Sequence, residues 1–472
     1  MIAISFLFFL ALFLGVGLAS AFQAKKDRKD YYLAGRTVSP WLASLSAVAT
    51  NNSGYMFIGV IGYTYTAGFA AIWLMAGWLL GDFLASLWIH RRLHSATVDT
   101  NEASYASVLA RWTGREFAVW RRIAATVMII FLGSYAAAQI AAGGKALQGV
   151  LDWNANLGAV IVSLMILAYS IAGGIRASIW TDAVQSIVMM AAMTLLFIVG
   201  LQGQGGWSGA VAQFREIDGY FDVIPPTMLV PGLAGVALFV VGWMAAGAAV
   251  IGQPHIMVRF MALKDTGQMI RVRLWYYAYF TIFYSLATGV GLLARLYLPD
   301  LASLDPELAL PTMARELLPG VFVGMILAGV FAATMSTADS LVLSCSAALT
   351  HDYAPDRLEK PWMMKTATAA VTMFALAIAL IGPKSVFDLV ILSWSILGVA
   401  FGPLMIAYVA GKRPSEARAI IALVIGVGVA LYWRHIGFAG AVFEGLPGAL
   451  AGLAVLFAPG VGASNTDAIS ED

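Results

Sequence analysis

Long apolar runs set the first constraint on this chain. Thirteen of them, at about 2–22, 40–64, 69–89, 123–148, 155–174, 180–202, 229–251, 274–298, 319–349, 366–382, 386–410, 419–435 and 441–459, are separated by charged or Gly/Pro-rich breaks. About 20 consecutive apolar residues cross a hydrocarbon core as a helix, whereas a barrel strand alternates over about ten. The pattern predicts an all-α membrane protein of about 13 transmembrane helices and excludes an outer-membrane barrel. Charged residues make up only 11% of the chain, against about a quarter in soluble domains. Residues 2–22 lack the basic leader of a signal peptide and are long enough to span, so they read as a retained first helix. A single cysteine, Cys345, rules out a disulfide framework and is expected to pack as a small apolar residue.

The basic residues orient the spans. Of the 28 Lys and Arg, 22 fall in loops that follow odd-numbered spans. Cytoplasmic loops carry the excess of such residues, which predicts an N-terminus outside, a C-terminus in the cytoplasm and a multi-pass place in the plasma (inner) membrane. The longest loops, 90–122 and 203–228, have room only for short amphipathic or re-entrant pieces. The tail at 465–472 is acidic and reads as disordered.

Polar residues inside these runs are the candidates for function, because they are costly at membrane depth and face a cavity or a partner. In FAATMSTADS (331–340), Ala333, Ser336, Thr337, Ser340 and Ser344 recur at helical spacing and share one face. A row of neutral hydroxyls beside Asp339 suits a weakly held small cation better than a catalytic metal, which takes His, Cys and carboxylate ligands. The second span carries Thr50, Asn51, Asn52, Ser53 and Gly54 in its middle, and the seventh has Gly242, Gly247 and Gly252 before Pro254. Such residues interrupt helices. An interruption frees carbonyls that only a cavity or a bound ion can satisfy in a membrane, the alternative being a kinked helix packed through small residues. Interrupted segments at corresponding places in two halves point to a transporter site. The halves would be 40–202 and 229–410, five spans each and so inverted, with 1–39 as an extra helix and loop and 411–472 as two further helices and the tail.

DYYLAGR (30–36), SAVATNNSG followed by YTYTAG, WTDAVQ (180–185), GQPHIMVRFMA (252–262) and AATMSTADS (332–340) occur in an order and spacing that resemble the sodium:solute symporter family across nearly the whole chain, and most closely its sodium/proline branch. The resemblance implies an inverted five-plus-five repeat, no enzymatic activity, and sodium-coupled uptake by alternating access. It implies sodium ligands at the carbonyls of Ala49, Asn52 and Ala333 and the hydroxyls of Ser336 and Thr337. It also implies a possible second cation site at Asp182 and Ser336, Asp339 and Ser340; alternatively, Asp182 caps its helix near Arg176. Asp82 reads as a structural hydrogen-bonding group.

By the same resemblance the solute pocket is expected at Tyr135, with Asn51, Ser53 and Gly54 on its other wall and Gln139 one turn from Tyr135. The proline branch places two aromatics where this chain has Ala246 and Val250, with Trp243 nearby but out of register. Losing those rings is expected to enlarge the pocket, so an amino acid such as proline, a larger one or an organic acid all fit, and no Lys or Arg is expected there. The implied partners are a small-molecule solute, sodium and the lipid bilayer, with no nucleic acid and a functional monomer. A membrane solute sensor without net transport and a proton-coupled symporter of the same fold are the alternatives. The five histidines fall near span ends and are expected at the interface rather than in catalysis.

Overall fold

The computed structural model describes residues 1–21, 33–102, 104–300, 305–353, 361–383 and 385–459. The acidic tail and the basic segment at 25–29 lie outside them. In chain order the helices are α1 (Ile2–Ala21), α2 (Pro40–Gly54), α3 (Val60–Ala67), α4 (Ala71–Thr100), α5 (Tyr105–Arg111), α6 (Ala118–Leu151), α7 (Ala155–Gly203), α8 (Gly206–Glu216), α9 (Leu233–Ala248), α10 (Pro254–Met261), α11 (Met269–Tyr297), α12 (Ala309–Leu317), α13 (Gly320–Ala347), α14 (Pro361–Ile381), α15 (Val386–Val409), α16 (Glu416–His435) and α17 (Gly445–Phe457).

Each of the thirteen predicted spans falls on a helix. Among the described residues nine helical runs are long and apolar enough to cross a membrane; one of them, Pro40–Thr100, carries two predicted spans, and the shorter apolar helices Ile2–Gly17, Ala155–Ala168 and Gly445–Phe457 coincide with three more. The loop expected between 174 and 180 is instead helical. The backbone of α7 is unbroken for 49 residues, about 74 Å at helical rise and more than twice a bilayer core. The short pieces expected in the two longest loops are α5 and α8; α12 was not foreseen.

The bundle is polar at its centre and apolar outside. Leu7, Phe8, Trp88, Leu164, Ile187, Leu274, Trp275 and Met373 are exposed, while Thr50, Asn52, Asp82, Gln139, Asp182, Arg259, Ser336, Thr337 and Ser340 are buried. That distribution suits a hydrocarbon solvent, in which polar groups must find partners inside the protein. Helix α13 forms the hub, packed by α1, α2, α6, α7 and α14, while α4 lies along α9 and α16 along α17. Glycines let these helices approach: a Cβ on Gly247 of α9 would stand 2.0 Å from the Trp78 carbonyl oxygen of α4. Cys345 is buried. His90 and His255 are buried too, His90 stacked on Phe260 at 3.9 Å and His255 edge-on to Tyr135 at 5.4 Å, so neither is the interfacial residue its place in the sequence suggested.

Candidate functional site

Both suspected interruptions are real. In α2 the backbone leaves the helix at Ser53 (φ 33°, ψ 176°), then winds through a wide π-type turn at Tyr55–Gly59 into α3. Positive φ is costly for a side chain other than glycine's, so packing must hold Ser53 there. Between α9 and α10 a 3-10 turn, Ala249–Gly252, meets an extended Gln253 (φ −100°, ψ 95°) and the proline that opens α10.

The first interruption lies against the hydroxyl row of α13. Ser336 Oγ donates to the carbonyls of Ala49 (3.3 Å) and Ala333 (3.1 Å), and Thr337 Oγ1 donates to the Thr50 carbonyl at 2.9 Å. Ala49, Ala333 and Ser336, expected together, are together. Thr337 meets Thr50 rather than Ala49, and the Asn52 carbonyl accepts the Tyr55 N–H. Thr50 is thus an oxygen that sequence reasoning missed; it lies between two residues the motif did name. Neither end of the buried Asn52 amide has a hydrogen-bond partner. The oxygens here are hard and uncharged, the donor class of alkali cations rather than of zinc or copper. Among the described residues no group of three or more His, Cys, Asp or Glu could hold a metal ion.

Four of the expected pocket residues also converge. Tyr135 OH donates to Ser53 Oγ at 3.3 Å, and the Gly54 N–H donates to Gln139 Oε1 at 2.8 Å. Gln139 Nε2 is buried without a partner. A Cβ on Gly54 would stand 2.7 Å from Thr334 Cγ2 and 2.8 Å from Ala142 Cβ, so only glycine lets the broken helix sit this close to α6 and α13.

Asn51 is not on this wall. Its amide donates to Tyr276 OH (2.6 Å) and to Asp82 Oδ2 (3.4 Å), while Tyr276 and Tyr277 donate to Asp82 at 2.9 and 2.7 Å. Asp82 is accordingly the structural acceptor expected of it, and Asn51 belongs to its network. Around Ala246 and Val250, aromatic rings arrive from other helices. Both are buried, and Trp394 of α15 donates its indole N–H to the Ala246 carbonyl at 2.7 Å. That indole lies 5.1 Å from Trp78 and 6.5 Å from Tyr135, and Trp243 stacks on Trp78 at 6.2 Å. Rings from α4 and α15 supply what α9 lacks. The only signal for Trp394 was a tryptophan set among serines in the run LSWSI.

At the second expected cation site the structure places an arginine against Asp182 and Ser340. Arg259 of α10 is 1% exposed and forms an ion pair with Asp182, Nη2 to Oδ2 at 3.2 Å. Asp182 sits in the middle of α7, not at an end, and Arg176 donates to the Ala34 carbonyl at 2.8 Å, so the capping alternative is excluded. Arg259 is one of the 22 basic residues that follow odd-numbered spans, yet it is buried in a helix rather than exposed in a loop. Its signal was present in GQPHIMVRFMA, where a lone charge follows a helix break by five residues.

A sequence model of the Sodium:solute symporter family matches residues 31–426. The high-affinity proline transporter PutP of Bacillus subtilis is 28% identical over 449 residues, which cover 93% of each chain. The sodium/proline symporter of Escherichia coli is 27% identical over 449 residues, 92% of this chain and 87% of that one. Among solved structures, a Na+-coupled sialic acid symporter in a substrate-bound outward-open state superposes with a TM-score of 0.80 at 19% identity, covering 96% of both chains.

Proposed function

Since the chain belongs to the sodium:solute symporter family, we propose that it couples the inward movement of sodium to uptake of a small zwitterionic amino acid, with proline the first to test, by alternating access. One observation carries the coupling: the carbonyls freed by the break in α2 face the hydroxyls of α13, at Ala49–Ser336 and Thr50–Thr337. Each hydroxyl is a rotor. Turned away from the carbonyl, it offers a lone pair, and the carbonyl and hydroxyl together can then coordinate a cation. Ala49, Ala333, Ser336 and Thr337 would hold the sodium, with Thr50 and Asn52 as the remaining oxygens. A site built from neutral oxygens binds weakly enough to release its ion.

The solute would lie beside the same break, against Ser53, Gly54, Tyr135, Gln139 and the Trp394 indole. Gln139 Nε2, buried and unpaired, is the donor on this wall free to meet a carboxylate. An ion that ties α2 to α13 shapes the segment the solute touches, so each ligand strengthens the other's binding. The halves 40–202 and 229–410 would form the inverted repeats that rock against each other. The excess of Lys and Arg after odd-numbered spans, which survives setting aside Arg176 and Arg259, both of them in helices, supports an N-terminus outside.

The driving force is sufficient. One charge moving through about 100 mV releases about 2.3 kcal/mol, and a tenfold sodium gradient adds about 1.4 kcal/mol, enough to sustain accumulation of a neutral solute by roughly 500-fold. The test is uptake of labelled L-proline and other amino acids into proteoliposomes under an inward sodium gradient, with potassium or a proton gradient in its place as controls. Accumulation is expected with sodium alone. Solute that binds the purified protein but never fills the vesicles would identify a sensor and sink the symport reading.

A further inference from the structure

The turn between α16 and α17 joins the ends of two helices, yet Ala441, Val442, Phe443 and Glu444 are all buried. It is wedged between α9 and α15, and two adjacent side chains reach one helix each. The Phe443 ring stacks on Trp243 of α9 at 6.2 Å, and a Cβ on Gly242 would stand 3.0 Å from the Phe443 nitrogen. The Glu444 carboxylate, 1% exposed, meets Ser395 of α15. The Ser395 hydroxyl lies 3.1 Å from Glu444 Oε1 and 2.9 Å from the Leu392 carbonyl one turn back. It has one proton to give, and a carboxylate is the stronger acceptor. The turn is held in place from α16: Trp433 Nε1 donates to the Val442 carbonyl at 2.9 Å, and Arg434 Nη1 donates to Glu444 Oε1 at 2.8 Å.

Both contacts lead to the same place. Trp243 stacks on Trp78, Trp78 lies 5.1 Å from Trp394, and Ser395 is the residue after Trp394. We propose that this turn, through Phe443 and Glu444, positions the rings of Trp243, Trp78 and Trp394 and so sets how tightly the solute is held. The inference rests on the solute site proposed above, in which the Trp394 indole is part of the wall. Packing alone does not fix α15 at this level. A cavity of about 90 Å³ lies beside it, lined by Ala245, Ala249, Ser395, Gly398 and Gly445 among others, and a void supplies no contact atoms on its side. The polar tie to Glu444 and the ring stack through Phe443 therefore carry the alignment. Binding groups need to be held within about 0.5 Å by the residues that support them. Residues 441–444 follow both five-span halves, so the segment that aligns these rings belongs to neither of them.

The test is uptake of labelled L-proline into proteoliposomes, read as half-saturating proline, half-saturating sodium and maximal rate, with melting temperatures of the same preparations. Ser395→Ala cuts the tie and leaves the Glu444–Arg434 pair in place; Phe443→Leu removes the ring and keeps most of its bulk. Each is expected to raise half-saturating proline about fivefold, equivalent to about 1 kcal/mol, and by more than half-saturating sodium. Ser395→Thr keeps the hydroxyl, has the cavity to receive its methyl, and should restore the wild-type value. A loss of folded protein lowers the maximal rate without moving half-saturating proline. Wild-type half-saturating proline in both Ser395→Ala and Phe443→Leu would therefore overturn the inference, whatever happens to rate or stability, and so would a Ser395→Thr as weak as Ser395→Ala. If Phe443→Leu does not fold, the two Ser395 variants decide. A wild type that fills no vesicle with proline or any other amino acid under a sodium gradient would instead overturn the reading on which the inference rests.

Discussion

The two broken segments resolve the same problem in opposite ways. At the second break, the carbonyls are closed mostly by N–H groups, the Trp394 indole on Ala246 and the Gln253 amide on Ala249, with Tyr105 OH on Ile251; the Gln253 amide also reaches the Trp394 carbonyl of α15. The helix that follows is pinned by the Arg259–Asp182 pair. At the first break, the carbonyls of Ala49 and Thr50 accept from the hydroxyls of Ser336 and Thr337. A hydroxyl can yield its place to a cation and reorient; an indole N–H cannot, because it has no lone pair to offer. Interruption alone does not make an ion site. In the proposed reading, sodium sits where the groups closing the interruption are replaceable.

Substitutions can break that contrast from either side, and the largest effect is expected at the rigid break. Asp182→Ala leaves a buried guanidinium without its anion, which typically costs about 3–5 kcal/mol. A large fall in melting temperature and no uptake are expected. The double variant Asp182→Leu/Arg259→Met removes both charges and should recover most of the stability, since apolar replacements of buried pairs are often neutral or better. A double variant as unstable as the single one would show that the junction depends on hydrogen bonds to the serines rather than on charge. Trp394→Phe comes next. It keeps a ring over Ala246 but leaves that buried carbonyl unsatisfied, at a cost of about 1–3 kcal/mol. The melting temperature should fall, and because the indole borders the proposed solute site the half-saturating solute concentration should rise more than the half-saturating sodium concentration.

At the replaceable break the order of effects reverses. Ser336→Ala or Thr337→Ala removes one ligand oxygen and should raise the half-saturating sodium concentration about tenfold, equivalent to about 1.4 kcal/mol, with a smaller change in melting temperature. Unaltered sodium dependence in both variants would move the ion elsewhere. Gly54→Ala sharpens the same side. The added methyl meets Thr334 and Ala142 at under 3 Å, and overpacking of this kind costs about 1–3 kcal/mol. It should impair solute and sodium use together, because it pushes the broken helix away from both α6 and α13.

How legible all this was in the sequence depended on whether a feature is local. The spans were legible because hydropathy is summed along the chain. The break in α2 and the hydroxyl row of α13 were legible because each is written in consecutive residues at fixed spacing. Contacts made across the bundle were not. Asn51 and Ser53 are two residues apart with similar side-chain chemistry, yet one faces Asp82 and Tyr276 and the other Tyr135. Residues two apart on a helix do not share a face; placing both on one wall assumes an unwound segment, whereas the helix runs through Asn52 and is left at Ser53. The rings missing at Ala246 and Val250 were replaced from α4 and α15, more than a hundred residues away on either side. Arg259 was visible as a charge, but its partner is 77 residues upstream, so nothing local separated a buried ion pair from a loop arginine. Helix α7 was divided in two because Gly173, Gly174 and Arg176 read as a break where the backbone stays helical.

The smallest expected effect tests whether the first break is held open by its own strain or by its neighbours. Ser53 adopts φ 33°, a conformation that costs a side-chain-bearing residue about 1–3 kcal/mol and glycine little. Its hydroxyl accepts from Tyr135 OH and from the Tyr55 N–H, bonds worth about 1 kcal/mol each at net. Ser53→Ala keeps the strain and loses both bonds. Ser53→Gly loses the same bonds but relieves the strain, offset by about 0.5–1 kcal/mol of added chain entropy. Glycine should therefore melt above alanine by an amount on the order of 1 kcal/mol, and its sodium dependence should stay near that of the wild type, because the Ala49 and Thr50 carbonyls precede the kink. If the two variants melt together, the positive φ stores no energy at this position, and the break is maintained by the packing of Gly54 against Thr334, Ala142 and Gln139 alone.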